Sequence, residues 1–148
     1  MNISYVNTTL SSSLSQLSSV FTRYLSSSGS SYYFEAFTVV ASTSATYIFG
    51  SSSSIDTFGY LYARTFNPSS PVSNIQTWDD DGGGNVQFRF SFYLQANSTY
   101  ILVATTYGSG VVGPYSVYVS GPTLVSLRRM NVSSAAFTRV PNSGRFFF

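Results

Sequence analysis

The chain contains no cysteine, histidine or lysine, and only 8% of its 148 residues are charged. Without cysteine, a disulfide framework and thiolate metal sites are excluded. Without histidine and lysine, the bases that usually activate a nucleophile are missing, as are Schiff-base lysines. Only five carboxylates remain for acid-base chemistry. Because the usual bases are missing, we expect a protein that is not an enzyme.

Charge is too sparse for a surface that follows nucleic-acid phosphates, although the net charge is +2. We therefore expect no nucleic-acid partner. Apolar runs are also short, and none approaches the roughly 20 residues of a membrane-spanning helix. Residues 1–15 lack a basic start and a continuous apolar core, so they do not resemble a signal peptide. The sequence thus predicts no membrane span.

Aromatic residues are abundant, and one stretch orders them in strict alternation. Hydrophobic residues make up 43% of the chain and aromatic residues 18%, enough to fill the core of one domain. Serine and threonine, which are poor helix formers, fill much of the remainder. Between 85 and 95 every second residue is apolar, namely Val86, Phe88, Phe90, Phe92 and Leu94. This period of two predicts a strand with one buried face.

Similar short strands are predicted at 20–24, 32–40, 46–49, 59–66, 99–107 and 115–120. The segment 99–107 is apolar on both faces, which is typical of a central strand. Apolar residues in 1–31 have a spacing that also permits a helix, but the serines between them favour short strands and loops. The sequence therefore predicts an all-β fold, an antiparallel β-sandwich.

Composition divides the chain into three parts. Residues 1–31 are a Ser/Thr-rich head with one or two strands, 32–121 form the predicted sandwich, and 122–148 are a C-terminal extension. We expect the sandwich to be the folded module, with the two flanking segments available for contacts between modules.

Three of the five acidic residues are consecutive, Asp79, Asp80 and Asp81, in a turn at 77–84 that ends in three glycines. Carboxylate oxygens are preferred ligands of Ca²⁺, and the glycines give the backbone freedom for Asp79, Asp81 and Asn85 to converge. Asp56 joins this candidate calcium site if its loop lies nearby. The alternative is a solvated turn whose charges discourage pairing of sheet edges.

Several segments, taken in order, resemble the bacterial pre-peptidase C-terminal (PPC) domain. They lie at 55–62, 79–85, Phe88, 94–96, 100–103 and 113–121. The resemblance covers about residues 32–121. It implies a jelly-roll-like sandwich that is extracellular and non-catalytic, and that accompanies secreted enzymes or occurs in tandem in surface proteins. It also implies calcium or matrix polymers as ligands, since some relatives bind them.

The end of the chain repeats its beginning. Ser-Ser-Ala-Ala-Phe-Thr-Arg at 133–139 echoes Ser-Ser-Val-Phe-Thr-Arg at 18–23, and a glycine and an aromatic triplet follow each copy. We expect contacts between copies at Phe21, Arg23, Phe137, Thr138, Arg139, Phe146, Phe147 and Phe148.

This repeat has two interpretations. In the first, the chain is one period and a fragment of a tandem array. In the second, its tail occupies in a neighbouring copy the place that the head strand occupies in its own chain. In the second case copies join head to tail, and a contact of this kind builds a fibre because it does not close. The expected partners are copies of the chain or neighbouring modules.

Two other functions remain open from the sequence. Glu35 with one of the aspartates at 79–81 would be a carboxylate pair for glycoside cleavage. The simpler interpretation is that Glu35 is a strand residue on a partly exposed face or is paired with an arginine. Tyrosines predicted on exposed faces would form a platform for a sugar ring or an extended polypeptide: Tyr60, Tyr62, Tyr93 and Tyr118. The alternative function is therefore a carbohydrate- or matrix-polymer-binding accessory domain.

Sequons for N-glycosylation occur at Asn2, Asn7, Asn97 and Asn131. Asn97 lies in a predicted turn, where a glycan would not disturb the core. The sequons and the PPC resemblance predict an extracellular or cell-surface glycoprotein. We expect a non-enzymatic structural module that self-assembles into a fibre or belongs to a tandem array.

Overall fold

The computed structural model describes residues 4–26 and 29–131, and every regular element in this part of the chain is a strand. The strands are β1 (Val6–Leu14), β2 (Ser19–Phe21), β3 (Tyr32–Ala41), β4 (Ala45–Ser53), β5 (Thr57–Ala63), β6 (Ile75–Asp79), β7 (Arg89–Leu94), β8 (Thr99–Thr106), β9 (Gly113–Gly121) and β10 (Val125–Arg129). All strand pairs are antiparallel. The described residues include no helix that is long and apolar enough to span a membrane.

The strands form two sheets packed face to face. One has the order β1-β9-β4-β7, and the other has the order β10-β3-β8-β5-β6, with β2 also paired to β3. Between the sheets, Phe37, Leu61 and Leu102 of the second sheet pack in one cluster with Phe49 and Val117 of the first. The predicted all-β antiparallel sandwich is confirmed.

The second sheet is covered on its outer face as well. Side chains alternate across a strand, so Tyr60 and Tyr62 of β5 point away from Leu61 and form a second buried cluster, the outer core. Phe21 of β2 and Phe66 of the loop after β5 belong to this cluster. The central strand β8 is thus buried on both faces, as its apolar sequence predicts.

Two predicted boundaries around the acidic turn are wrong. The alternation predicts a strand from 85, but β7 begins at Arg89 because Asn85 and Val86 have positive φ angles of 53° and 56°, which a strand does not permit. Val86 is 43% exposed instead of buried. The turn begins after Asp79, which is the last residue of β6.

Both flanking segments contribute strands to the sheets. In the Ser-rich head, β1 pairs with β9 from Val6, opposite Gly121, to Leu14, opposite Gly113. The strand predicted at 20–24 is found as the shorter β2. At the other end of the chain β10 pairs with β3, although the sequence analysis predicts no strand there. The head and the extension therefore each cover an edge strand.

Candidate functional site

One edge of β3 is shared end to end by two strands from opposite ends of the chain. β10 pairs with the half of this edge that runs from Ala41 to Phe37, and its last residue, Arg129, lies opposite Phe37. β2 covers the other half, from Ser19, opposite Phe34, to Phe21. Both strands are antiparallel to β3 and therefore run in the same direction. We call the place that β2 fills on this edge the edge slot.

Phe21 anchors the strand in the edge slot. Its ring centroid lies 4.6 Å from that of Phe34 and 5.8 Å from that of Phe66, in tilted and edge-to-face arrangements. Phe21 is 5% exposed, whereas the neighbouring Thr22 is exposed. Burial of a phenylalanine side chain contributes about 2 to 3 kcal/mol, so this residue supplies much of what holds the short strand β2.

Arg23 follows Phe21 into the interior, and its donors reach backbone carbonyls. The residue is 4% exposed. Its Nε donates to the carbonyl of Thr106 at 3.1 Å, and its Nη2 donates to that of Tyr107 at 2.8 Å. Its Nη1 donates to the carbonyls of Tyr24 and Leu25 at 3.2 Å and 3.0 Å. The pocket thus recognises the planar fork of a guanidinium.

Aromatic rings enclose the same guanidinium. Its central carbon lies 4.4 Å from the ring centroid of Phe58, 4.6 Å from that of Tyr32 and 5.7 Å from that of Tyr107. Nη1 also donates to the Tyr60 hydroxyl at 3.4 Å. Burial raises the pKa of Tyr60 to about 12, so its hydroxyl stays protonated. Cation–π contacts of a desolvated arginine contribute about 2 kcal/mol.

The tail residues that repeat this segment lie outside the described residues: Phe137, Thr138, Arg139, Phe146, Phe147 and Phe148. Their counterparts in the head, Phe21 and Arg23, are buried within their own chain. A tail from another copy would therefore have to replace these two side chains, because they offer no exposed surface for an added contact.

A second candidate site lies where β5 begins and β6 ends. One carboxylate oxygen each of Asp56, Asp80 and Asp81 lies within 4.8 Å of the others, and we call these three residues the acidic cluster. They meet because Gly59 of β5 lies opposite Asp79 of β6, which places the chain before β5 next to the chain after β6.

Two oxygens of the acidic cluster are suited to a metal ion. Oδ1 of Asp56 and Oδ1 of Asp80 are buried, and neither has a hydrogen-bond partner among the residues that the structure describes. A buried carboxylate oxygen without a donor is costly unless a cation approaches it. Three carboxylates with water as the remaining ligands fit the all-oxygen coordination of Ca²⁺.

The other two predicted calcium ligands hold the turn instead. Oδ2 of Asp79 accepts hydrogen bonds from the amides of Gly82 at 2.6 Å and Arg89 at 2.9 Å. Asn85 is in the left-handed conformation, and its carbonyl accepts a hydrogen bond from Nε2 of Gln87 at 3.2 Å. The structure thus gathers only some of the predicted ligands, and it assigns Asp79 to the turn.

Burial and mutual repulsion disfavour the ionised form of the acidic cluster. Burial, followed by the charges of Asp81 and Asp56, raises the pKa of Asp80 to about 6. Burial and Asp81 likewise raise the pKa of Asp56, and the positive charge of Arg23 partly opposes both increases. The arginine pocket and the acidic cluster are therefore close enough to influence each other.

Gln87 supports the loops that carry the acidic cluster, a role that the sequence analysis misses. Alternation predicts an exposed side chain, but Gln87 is 6% exposed. Its Oε1 accepts a hydrogen bond from Ser51 at 2.9 Å, and its Nε2 donates to the carbonyl of Ile55 at 2.9 Å. Ser51 also bonds to Thr57 at 2.7 Å. Since β7 begins after Gln87, strand periodicity carries no signal for its burial.

Glu35 joins the four strands β1, β3, β9 and β10 on the side of the second sheet that lies away from β6. Its Oε2 lies 3.3 Å from Nε of Arg129, and its Oε1 accepts hydrogen bonds from Ser12 at 2.6 Å and from Tyr115. The predicted pairing of Glu35 with an arginine is confirmed. Glu35 and Asp79 lie in one row across β3, β8, β5 and β6.

This row separates the carboxylates of the suggested glycosidase pair. Three inter-strand spacings amount to about 14 Å. Catalytic carboxyl pairs of glycosidases are about 5 to 9.5 Å apart. The backbones of Glu35 and Asp79 are therefore three strand spacings apart, and each carboxylate bonds to groups on its own side of the sheet.

The predicted platform of four exposed tyrosines is wrong. Tyr60 and Tyr62 are completely buried, whereas Tyr93 is 58% exposed. The ring of Tyr118 lies against Gly50, where an added Cβ would come within 2.4 Å of it. The outer face of β5 is covered by the head and a loop, so its alternation marks a second core instead of a wet surface.

The described sequon asparagines are all exposed: Asn7 on β1, Asn97 between β7 and β8, and Asn131 after β10. Asn97 has a positive φ of 64° and lies in the predicted turn. Asn2 lies outside the described residues. Each described sequon is accessible in this fold, and glycosylation stays a prediction.

A scan against protein-family models, a search of curated proteins and a search of solved structures each found no match. The resemblance to the PPC domain therefore stays a prediction that rests on the quoted segments.

Proposed function

We propose that this chain is a non-enzymatic, extracellular structural module that joins neighbouring copies or modules head to tail by strand addition at the edge slot. The observation that carries the proposal is the match between the edge slot and the tail sequence. The slot buries a Phe and an Arg with an exposed Thr between them, and Phe137-Thr138-Arg139 supplies the same three side chains.

The chemistry of the slot supports an exchange of one strand for another. β2 is an edge strand that pairs with β3 on one side, from Ser19 to Phe21. Strand addition uses the same backbone hydrogen bonds whichever chain supplies the strand. Specificity comes from the pockets for Phe21 and Arg23, and Phe137-Thr138-Arg139 offers the same side chains to the part of each pocket that lies outside the head, including the carbonyls of Thr106 and Tyr107. A tail that enters the slot of the next copy replaces the head of that copy, and the slot of its own chain receives the tail of a third copy in the same way, so the assembly grows without closing.

The extracellular placement and the absence of catalysis belong to the same proposal. The sequons and the PPC resemblance support a secreted or surface protein. The lack of histidine, cysteine and lysine supports a structural role. The sequence is also compatible with one unit of a tandem array, in which the tail is the head of the following module.

The test is assembly of the purified chain, measured by light scattering and negative-stain electron microscopy. We expect the full chain to form fibres at high concentration and a chain truncated before residue 133 to remain monomeric. Phe137→Ala and Arg139→Ala should each reduce assembly strongly. Thr138→Ala is the matched control, since Thr22 at the corresponding position is exposed.

Two outcomes would reject the proposal. Monomers at all concentrations for the full chain would remove self-assembly as its function. Equal loss of fibres in Phe137→Ala and Thr138→Ala would show that the tail acts by a contact other than the edge slot.

We further propose that Ca²⁺ stabilises the loops at the acidic cluster. The support is the trio of carboxylates within 4.8 Å and the two buried oxygens that have no donor in the described part of the chain. Bound calcium would offset the burial and the repulsion that together raise the pKa of Asp80. Its role would be structural, because it would fix the start of β5 and the turn after β6.

A second candidate function is binding of a neutral glycan or matrix polymer on the outer face of the four-stranded sheet. The observation that favours it is a shallow groove of about 290 Å³ between β1, β4 and β9, lined mainly by serines such as Ser11, Ser52 and Ser116. Serine hydroxyls donate and accept hydrogen bonds, as sugar hydroxyls do. Saturable binding of a monomeric chain to a neutral polysaccharide, lost in Ser52→Val, would support this candidate.

A further inference from the structure

The end of β10 and the edge slot lie on one track along β3. β10 ends with Arg129 opposite Phe37, and the amide of the next residue donates to the carbonyl of Ala36 at 2.8 Å. A strand that kept this register would have its third residue after Arg129 opposite Phe34, the position of Ser19 in the head. The chain therefore leaves its last strand in the direction of its own edge slot.

A groove connects the two places. It has a volume of about 490 Å³ and lies over β3 at Glu35. Leu17 and Ser18 of the turn before β2 form one side, and Met130 and Asn131 after β10 form the other. Leu17 is 97% exposed, so the head adds little cover at this point. The groove has room for a length of chain between the end of β10 and the slot.

The tail is long enough to reach the slot of its own chain. From Phe37 to Phe34 the strand rises about 10 Å. Residues 130–134 separate Arg129 from Ala135, which the repeat aligns with Ser19, and an extended chain of this length spans roughly 20 Å. The surplus length allows the repeat register, in which Phe137 takes the place of Phe21.

We propose that the head segment with Phe21 and Arg23 and the tail segment with Phe137 and Arg139 compete for the edge slot of the same chain, and that this competition regulates assembly. The inference rests on the proposed function, because both use the same slot and the same tail. A tail docked in its own slot closes the chain on itself and releases the head. Growth of a fibre requires the tail to leave its own slot for that of a neighbour.

Tether length makes assembly depend steeply on concentration. A segment held by a short linker has an effective concentration on the order of millimolar at its own site. Tails of other chains compete only when their concentration approaches this value. In dilute chains the slot is therefore filled from within the chain, by the head or by the tail, and concentrated or surface-tethered chains assemble.

Engineered disulfides test which strand fills the slot, and the chain has no native cysteine to interfere. Val20 lies opposite Tyr33 in the β2–β3 pair, so Val20→Cys/Tyr33→Cys reports the head in the slot. Tyr33→Cys/Ala136→Cys reports the tail, since the repeat aligns Ala136 with Val20. Residues directly opposite in antiparallel strands have Cα atoms about 4.5 to 5.5 Å apart, which a disulfide can bridge.

In dilute solution, we expect Tyr33→Cys/Ala136→Cys to oxidise to an intramolecular product that migrates as a compact monomer. Phe21→Ala in the same chain should raise the yield of this product several-fold by weakening the head, and Phe137→Ala should lower it. Thr138→Ala should leave it unchanged. An intramolecular bond in Val20→Cys/Tyr33→Cys but none in Tyr33→Cys/Ala136→Cys would overturn the inference.

A mixture of two single variants separates this inference from the proposed function. Tyr33→Cys chains mixed with Ala136→Cys chains give a cross-linked heterodimer only when a tail enters a neighbour. If the intramolecular product forms and the heterodimer is missing at every concentration, the competition within one chain stands and the fibre is rejected. If the heterodimer forms and the intramolecular product does not, the fibre stands and the competition is rejected.

Discussion

The guanidinium carbon of Arg23 lies 4.4 Å above the ring centroid of Phe58. This contact places a positive charge from the Ser-rich head within the outer core of the second sheet. The charge is compensated by carbonyl dipoles and ring faces, so the pocket depends on the shape of arginine as well as on its charge.

Replacement of this arginine tests how much the head contributes to stability. Arg23→Met should lower the free energy of unfolding by about 3 kcal/mol, because several buried carbonyls lose their donors. Urea denaturation measures the change. The control is Arg128→Met on the exposed face of β10, for which we expect a change within about 0.5 kcal/mol. Equal effects of the two substitutions would contradict the burial of Arg23.

The acidic cluster predicts that stability falls as pH rises in the absence of divalent cations. The pKa of Asp80 is raised from 3.8 to about 6 in the folded chain, so the folded state holds the proton over this interval while the unfolded state releases it. Stability therefore decreases from about pH 4 to pH 6, and the loss persists above that.

Urea denaturation in a chelator at several pH values between these limits measures the effect. Asp80→Asn should remove the contribution of Asp80 and be more stable than the parent chain at neutral pH. Parallel pH profiles of the two proteins would refute the raised pKa.

Calcium binding should restore the folding stability that ionisation of the acidic cluster removes. At a hundredfold excess over its dissociation constant, a ligand of the folded state adds about 2.7 kcal/mol to stability. We expect a calcium-dependent rise of the melting temperature at neutral pH that Asp80→Asn abolishes. Asp79→Asn is the control, since it weakens the turn but leaves the three clustered carboxylates in place. A melting temperature that calcium does not change would reject the metal site.

Glu35→Gln should weaken the contact among the four strands that meet at this side chain. The substitution removes the charge that pairs with Arg129 and weakens the hydrogen bonds from Ser12 and Tyr115. We expect a loss of about 1 to 3 kcal/mol in the free energy of unfolding. Comparison with Arg129→Ala and the double variant gives the coupling energy, and additive effects would contradict a direct interaction.

Gly59 should tolerate no side chain. A Cβ at this position would lie 2.5 Å from the ring of Phe88, which is fully buried. Gly59→Ala should therefore destabilise the fold by about 1 to 3 kcal/mol through overpacking. Gly108→Ala is the matched control, because its nearest neighbour lies at 3.3 Å in a Val111 side chain. Thermal unfolding compares the two, and equal melting temperatures would refute the close packing.

Strand periodicity is sufficient to predict the sandwich, but it does not show which faces of the sheets are exposed to solvent. The alternation of Tyr60 and Tyr62 with Leu61 predicts one exposed face, and the structure covers both. A tyrosine in a second core has the same local pattern as one on a surface, because its hydroxyl can bond to a carbonyl or to water. The pattern cannot show which segment covers the face.

The candidate sites depend on contacts between residues distant in sequence. The register between β5 and β6 brings Asp56 close to Asp80. The sequence around each residue does not indicate that the two carboxylates are neighbours. The Ser-rich sequence around Arg23 likewise does not indicate that its side chain is buried. The sequence does mark this residue in another way, since Phe-Thr-Arg occurs again near the end of the chain.

The two cores are closed by different means, and this gives the molecule two levels of unfolding. The inter-sheet core is held by both sheets, whereas the outer core is covered by the head and one loop. Release of the head exposes Phe34 and Tyr60 without separating the sheets. We expect the amide hydrogens at 32–34 to exchange with solvent through this local opening. Those of β8 should exchange only through global unfolding. We therefore expect low local stability at the place where the proposed second strand would enter.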